Sequence, residues 1–415
     1  MSKITKGFLI LLAALLVVGG IMVYWSSGLE GNWRGSVQLH IGVYILALAT
    51  IGIVFGIIEF AVLRLIGISP LGAIARVTFY EALFQPFSMI LLGIGTLSIT
   101  LFAFLPFFTL SEDAKMYRDV AMSFAMIFTL PIMVFAASKT VDEEIENRTM
   151  LTLMSKPVAR WQVVIGKFAG VLTVVFACVA VLSIIAAACA YLRYFADYRV
   201  DYVTQNTIEG WRDLDLKNNK AVLALLPAAI QSFLSLAMLA AVSVAVSTRF
   251  SLVLNIVIIV VVYVFANLAR YAGLLSSQDF VELGGWPMHA FITVPLLIVI
   301  GAWRMLPGRK TALLLATVAL MGLLHWLLFS VAGITVNWSA PAHALARVLP
   351  ALGTLDISSR LLYGQYTLGS EEPINGVPTY AQIWQYVGMS ALYAIIYIGA
   401  ALSFGIAAFR TRELT

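Results

Sequence analysis

The sequence predicts an all-α fold: a polytopic helical membrane protein with about ten transmembrane helices and one amphipathic helix on the cytoplasmic side. Three observations carry that prediction. Of 415 residues, 61% are hydrophobic and 11% charged, against about 45–50% and about 25% in soluble globular chains. The 26 basic and 21 acidic residues gather in a few clusters, separated by charge-free apolar stretches of about 17–28 residues. Each stretch is long enough to cross a hydrocarbon layer of about 30 Å. The stretches are apolar on every face, which excludes transmembrane β-barrels, whose strands alternate apolar and polar residues.

The apolar runs fall at 7–25, 41–63, 87–108, 120–138, 168–192, 221–248, 250–269, 289–305, 311–334 and 386–409. Lys3 and Lys6 precede the first run, but the run is long for a signal-peptide core and lacks a small-residue cleavage site before Trp25. It reads as an uncleaved anchor. Run 289–305 is short and contains Pro295, so it is either a span or a re-entrant hairpin. Tyr24, Trp25, Tyr191, Tyr194, Trp303, Trp384 and Tyr386 sit at run ends, where aromatic side chains favour the headgroup level. With the amino terminus placed in the cytoplasm, the inner segments are 1–6, 64–86, 139–167, Arg249, 304–310 and 410–415. They hold 15 of the 26 basic residues and, with Glu59 assigned inward, 7 of the 21 acids, so the inner side carries +8 and the outer side −3. That asymmetry obeys the positive-inside rule, and an even span count puts both termini in the cytoplasm. The longest outer loop, 335–385, contains Pro341, Pro350, Pro373 and Pro378.

Side chains that carry chemistry are sparse. Cys178 and Cys189 lie in one run, about 16 Å apart along a helix rising ~1.5 Å per residue, too far to pair; they read as packing residues. The four histidines are scattered and no spacing resembles a metal site. No nucleophile–base pair or carboxylate cluster lies at membrane depth, so no catalytic residue is assigned and the chain reads as non-enzymatic. The net charge of +5 comes without a basic domain or stacking motif and does not point to nucleic acid. A phosphate loop needs G-x-x-x-x-G-K-[ST], yet the sole Gly-Lys pair, Gly166-Lys167, is followed by Phe168. No cofactor is assigned to this chain. Within the runs, Glu59 is the one acid, and His325, Asn255, Asn267, Gln231 and Tyr263 are the notable polar groups. Glu59, Asn255, Tyr263 and His325 are candidate pathway residues. Each also has a plain reading: snorkelling or pairing for Glu59, a bond between helices for the others.

The pattern concentrates in 139–167, KTVDEEIENRTMLTLMSKPVARWQVVIGK. Thr140 and Glu143 form a capping box, so the spacing predicts that a helix starts there and ends before Pro157. Asp142, Glu143, Glu144 and Glu146 place acids in its first turns, where the helix dipole favours them. Met150, Leu153 and Met154 make an apolar stripe. Ser155 then caps a second helix, with Pro157 in its first turn, that carries Arg160 and Lys167 into the membrane at Phe168. Two readings compete for the first helix. It lies on the bilayer surface, or its stripe docks into a groove on a cytoplasmic partner. The acids oppose the first, because anionic headgroups repel them.

The run Glu144-x-Glu146-x-x-Thr149-x-x-x-Leu153-x-Ser155-x-Pro157-Val158-x-Arg160, followed by Gly166 and Lys167, resembles the signature segment of type-2 ABC exporter permeases, the membrane subunits of ATP-driven transporters. Arg148 stands where that family usually has Gly. The likeness is strongest over about 71–270 and returns at the last span running into Phe409-Arg410-Thr411-Arg412-Glu413-Leu414.

The resemblance implies an elbow helix, here 71–85, then two spans, then a coupling helix (140–156) that docks on a separate ATPase subunit. It implies ATPase coupling by Glu143, Glu144, Glu146, Arg148, Thr149, Leu153, Ser155, Pro157, Arg160 and Lys167, with ATP and Mg held by the partner. It further implies two permease copies per working unit and a home in the prokaryotic cytoplasmic (inner) membrane. The family core has six spans; the surplus is assigned to an N-terminal pair and a hairpin near 289–334. The expected domains are 1–65, the N-terminal transmembrane pair; 66–270, the permease core; and 271–415, a C-terminal transmembrane region. The alternatives are an ion-coupled secondary carrier using Glu59 and His325, and a non-transporting subunit that relays ATPase work to extracytoplasmic proteins.

Overall fold

Helix is the architecture throughout the residues that the computed structural model describes: 3–27, 33–59, 69–105, 113–146, 159–203, 218, 222–271, 349–350, 352 and 380–410. No strand occurs among them. In chain order the helices are α1 (Lys3–Ser27), α2 (Trp33–Ile57), α3 (Pro70–Leu83), α4 (Pro86–Phe104), α5 (Asp113–Glu146), α6 (Arg160–Val203), α7 (Leu225–Ser247), α8 (Leu252–Tyr271) and α9 (Tyr380–Arg410). Six stretches are long and apolar enough to cross a membrane: Leu39–Ile57, Pro86–Phe104, Asp113–Lys139, Trp161–Arg193, Leu225–Ser247 and Tyr380–Phe409. Shorter apolar stretches lie in α1 and α8, at Leu12–Tyr24 and Leu252–Asn267. The two remaining predicted runs, 289–305 and 311–334, lie outside the described residues.

Three boundaries depart from the sequence expectation. The helix expected to begin at Thr140 does not: α5 runs unbroken from Asp113 to Glu146, and its last fifteen residues contain neither Gly nor Pro to stop it. α6 begins at Arg160, after Pro157 and not with it in the first turn, and it carries half of a capping box. There the Ala159 amide donates to Gln162 Oε1 at 2.9 Å, the return half of that motif. Finally, α9 begins at Tyr380, so residues 380–385, expected in the 335–385 loop, are helical. Tyr380 and Trp384 meet edge-on across one turn, and Ile383 and Tyr386 bury an apolar face there.

Helix α6 is the centre of the bundle. Its 44 residues span about 66 Å at ~1.5 Å per residue. It packs against α2, α3, α4, α5, α7 and α9. One of its partners is short. α3 starts at Ser69, whose hydroxyl accepts from the Gly72 amide at 3.1 Å, with Pro70 in the first turn. The buried positions of α3, Gly72, Ala75, Thr78, Phe79, Ala82 and Leu83, recur at helical spacing and lie against α6. Glycines on α6 make room for it. A Cβ at Gly166 would stand 3.0 Å from Ile74 Cβ and the Leu71 carbonyl, and one at Gly170 would stand 2.6 Å from Thr78 Cβ and 2.7 Å from the Ala75 carbonyl. Gly166-x-x-x-Gly170 is thus a small-residue notch of the kind that lets membrane helices touch backbone to backbone. Cys178 and Cys189 are buried on the same helix and unpaired, as expected for packing residues.

At the end of the bundle opposite this notch, a single cation fastens a helix corner. Arg193 Nη1 donates to the carbonyls of Ala103 and Leu105, each at 2.6 Å, and Nη2 meets Asp113 Oδ2 at 3.2 Å. The guanidinium therefore neutralises the C-terminal dipole of α4 while pairing with the first acid of α5. The N-terminal pair α1 and α2 joins the core through Val43 and Ala47 against Ala188 and Leu192, and through Tyr44, whose hydroxyl lies 3.5 Å from Cys189 Sγ.

Two substitutions test this framework by thermal unfolding in detergent. Gly170→Leu is expected to destabilise by about 1–3 kcal/mol through overpacking against α3, with Gly170→Ala intermediate. Arg193→Leu is expected to cost about 2–3 kcal/mol from lost charge-assisted bonds, with Arg193→Lys recovering only part, because an ammonium cannot span both carbonyls and the carboxylate.

Candidate functional site

Two regions gather the residues that sequence alone singled out. The first is the end of the bundle where α5 leaves and α6 returns. Glu143, Glu144 and Glu146 fall on the last turns of α5, and Arg160 is the first residue of α6. Arg148, Thr149, Leu153, Ser155 and Pro157 lie outside the described residues, as does His325. Because α5 and α6 pack side by side, the segment between Glu146 and Arg160 is tied at both ends to one pair of helices. Lys167 requires a correction. Its side chain is 2% exposed, within a turn of the notch where α3 is seated, so it belongs to the interior and not to a surface offered to a partner.

Glu59 also finds a structural place. Among the described residues the apolar stretch of α2 runs from Leu39 to Ile57, and Glu59 follows it by two residues. Glu59 Oε2 accepts from the Tyr80 hydroxyl of α3 at 3.0 Å, and the Arg76 guanidinium stands 5.9 Å over the Tyr80 ring. Burial, and after it the hydrogen bond to Glu59, raise the Tyr80 hydroxyl above its ordinary pKa, so it stays protonated as the donor at neutral pH. Glu59 thus links the N-terminal pair to the helix seated on α6.

Asn255, at 0% exposure, is a junction. Its Nδ2 reaches Ser138 Oγ on α5 at 2.6 Å and Ser243 Oγ on α7 at 2.9 Å, while Ser138 donates its own proton to the Val134 carbonyl at 2.8 Å. Three helices are therefore joined by one amide, immediately before α5 emerges at Lys139. A bond between helices is the plain reading of this residue, and the geometry supplies it.

The second region is a cavity of about 300 Å³ between α5, α7 and α8. Asp119, Met122, Ser123, Met126 and Ile127 come from α5; Ala228, Gln231, Ser232 and Ser235 from α7; Tyr263 and Asn267 from α8; and Leu352 closes one side. Tyr263 is the one candidate pathway residue in this wall. Asp119, Ser123, Ser232 and Ser235 were not singled out from sequence. The available signal was the set Gln231, Ser232 and Ser235, which puts three polar groups within five residues of an otherwise apolar run. The walls also sit beside a weak point in α5, since Pro131 has no N–H to give the Ile127 carbonyl.

Comparison with known proteins gives a family. Residues 77–414 match the family model described as "ABC-2 family transporter protein", which takes in most of the chain from within α3 to the end of α9. No curated protein and no solved structure matches the chain.

The Asn255 junction predicts an ordering in thermal unfolding. Asn255→Ala should cost about 1 kcal/mol, the scale of a hydrogen bond between membrane helices. Asn255→Asp should cost more, because it buries a carboxylate against two serine oxygens.

Proposed function

The chain belongs to the ABC-2 family of transporter proteins, and from that premise we propose that it is the permease subunit of an ATP-driven exporter in a prokaryotic cytoplasmic membrane. The observation that carries the proposal is the linkage at the base of α5 and α6. A chain segment bearing the exporter-like signature is anchored at both ends to helices that pack on each other, beside the notch that seats α3 and below the Asn255 junction. A push on that segment has direct mechanical routes into the bundle.

In this proposal residues 140–156 form the coupling element, and Glu143, Glu144, Glu146, Arg148, Thr149, Leu153, Ser155, Pro157 and Arg160 meet the ATPase. Lys167, buried, does not. α3 serves as the elbow helix. The chain crosses the membrane ten times, with 289–305 and 311–334 supplying two crossings and both termini in the cytoplasm. Residues 1–65 are an accessory pair docked on the core 66–270, and 271–415 complete the transmembrane region. ATP and Mg are bound by a separate ATPase subunit, this chain is catalytically silent, and two permease copies face each other in the working unit. ATPase closure moves the coupling elements, and α5 carries the motion through Ser138 and Asn255 to α7 and α8, which wall the cavity. An ion-coupled carrier built on Glu59 has less support, since that carboxylate is engaged by Tyr80 at α3.

The test is a detergent pull-down of the tagged protein from its own cells, with Glu144→Arg and Leu153→Asp beside the wild type, followed by mass spectrometry and an ATPase assay. A phosphate-loop ATPase recovered with wild type and lost from both variants is the expected result. No ATPase after crosslinking, with variants indistinguishable from wild type, would overturn the proposal and leave the segment as a surface helix.

A further inference from the structure

An exposed pair of opposite charges lies where α2 gives way to α3. Arg76, Tyr80 and Phe84 recur at i, i+4 and i+8 and so share one face of α3 and its cap. The Tyr80 and Phe84 rings stack with centroids 6.0 Å apart, and the Arg76 guanidinium stands 5.9 Å over the Tyr80 ring. From the end of α2, Glu59 Oε2 accepts the Tyr80 hydroxyl at 3.0 Å. Glu59 and Arg76 are both exposed, so a cation and an anion flank one phenol on the outer surface of the bundle. Each has capacity left. Tyr80 takes one of about four acceptor positions on the carboxylate, and a guanidinium carries several N–H donors in a fork.

The position of this pair says what covers it. α3 joins two apolar stretches, Leu39–Ile57 and Pro86–Phe104, so it lies at one face of the membrane. It is seated near the start of α6, where the exposed Trp161 opens the stretch Trp161–Arg193. Tryptophan at such an end marks the headgroup level. Beside the charges, Val77 and Phe84 are 63% and 62% exposed, apolar surface that suits acyl chain and not water. The occupant of this face is therefore lipid, and the charges select among lipids. Arg76 attracts any phosphate, but Glu59 opposes a headgroup that is only anionic. A phosphate joined to an ammonium complements both. A primary ammonium also donates N–H bonds to a carboxylate, which strengthens the contact, whereas a choline has no N–H to give.

We infer that Arg76, Tyr80 and Glu59 form a binding site for a phosphoethanolamine lipid headgroup. Arg76 takes the phosphate, Glu59 accepts from the ammonium, Tyr80 holds the carboxylate in place, and Val77 and Phe84 offer apolar surface to the acyl chains. The site fixes a lipid neighbour for the short helix seated on α6. It needs no ATPase, so it stands or falls apart from the coupling proposed above.

The experiment uses the full chain in nanodiscs that hold phosphatidylethanolamine, phosphatidylcholine and phosphatidylglycerol in equal amounts with matched acyl chains, and reads the retained lipid by native mass spectrometry. Expected is retention of phosphatidylethanolamine over each of the others by about threefold or more, the scale of an exposed charge contact. Arg76→Gln should reduce that excess about two- to fivefold. Glu59→Gln keeps an acceptor for Tyr80 but removes the negative charge, so retention should turn toward phosphatidylglycerol. A merely structural link between α2 and α3 would leave the lipid order unchanged. Thermal midpoints report folding, and should Glu59→Gln not fold, the Arg76→Gln comparison decides alone. Equal retention of the three lipids, or the wild-type order in the folded variants, would overturn the inference. So would a discrete protein adduct in place of lipid when a photoreactive residue at Val77 is crosslinked in the native membrane.

Discussion

The contact between α3 and α6 at Gly166 and Gly170 is the constraint on which the rest of the arrangement hangs. Inside a bilayer, burying an apolar side chain against protein gains little over burying it in lipid, so helices hold together by close van der Waals contact and by a few polar bonds. The glycine notch allows the backbone carbonyls of Leu71 and Ala75 to approach within contact distance of α6, and dispersion falls off so steeply that this closeness is most of the attraction. Seating α3 there fixes where the chain turns into α4, presents Tyr80 to Glu59, and holds the first turns of α6 beside the end of α5. Without the notch, the helix entering from the coupling segment would lose its close contact with α3.

The polar bonds that supplement this packing are few and differ in purpose. Arg193 secures the α4–α5 corner at one end of the bundle, whereas Asn255 ties α5, α7 and α8 near the other. Gln231 to Ser390 joins α7 to α9 midway. Each is worth little singly, yet each selects one rotation of its helix, because a turn of one residue would carry an amide or guanidinium away from its partner by about 100°. Packing sets how near the helices lie; these groups set which faces meet.

The helices themselves were legible in the sequence because the bilayer imposes length and apolarity on every crossing, and eight of the ten predicted runs coincide with helices, six of them long enough to span. Helix ends were less legible. Thr140 and Glu143 have the letters of a capping box, but nothing before them breaks α5, and a cap matters only where the chain arrives in a non-helical conformation. Lys167 shows the limit of reading charge as exposure: it is buried on a helix packed on several sides, and those neighbours are not visible in local sequence. The notch was written plainly as Gly-x-x-x-Gly in an apolar helix, and was obscured by reading Gly166-Lys167 against a phosphate loop. The cavity was the hardest to foresee, since its walls come from three helices and acquire meaning only when those helices meet.

The length of α6 has a consequence of its own. A helix of about 66 Å is more than twice the thickness of a hydrocarbon layer of about 30 Å. It is stiff along its axis and is gripped at mid-length by the surrounding helices. Such an element behaves as a pivoted rod. A tilt of about 5° about its centre swings each end by about 3 Å in opposite directions, comparable to the shifts by which packed helices exchange partners. Small rotations at the Arg160 end therefore arrive at the Val203 end reversed in sense and undiminished in size, which makes one helix sufficient to relate the two faces of the membrane.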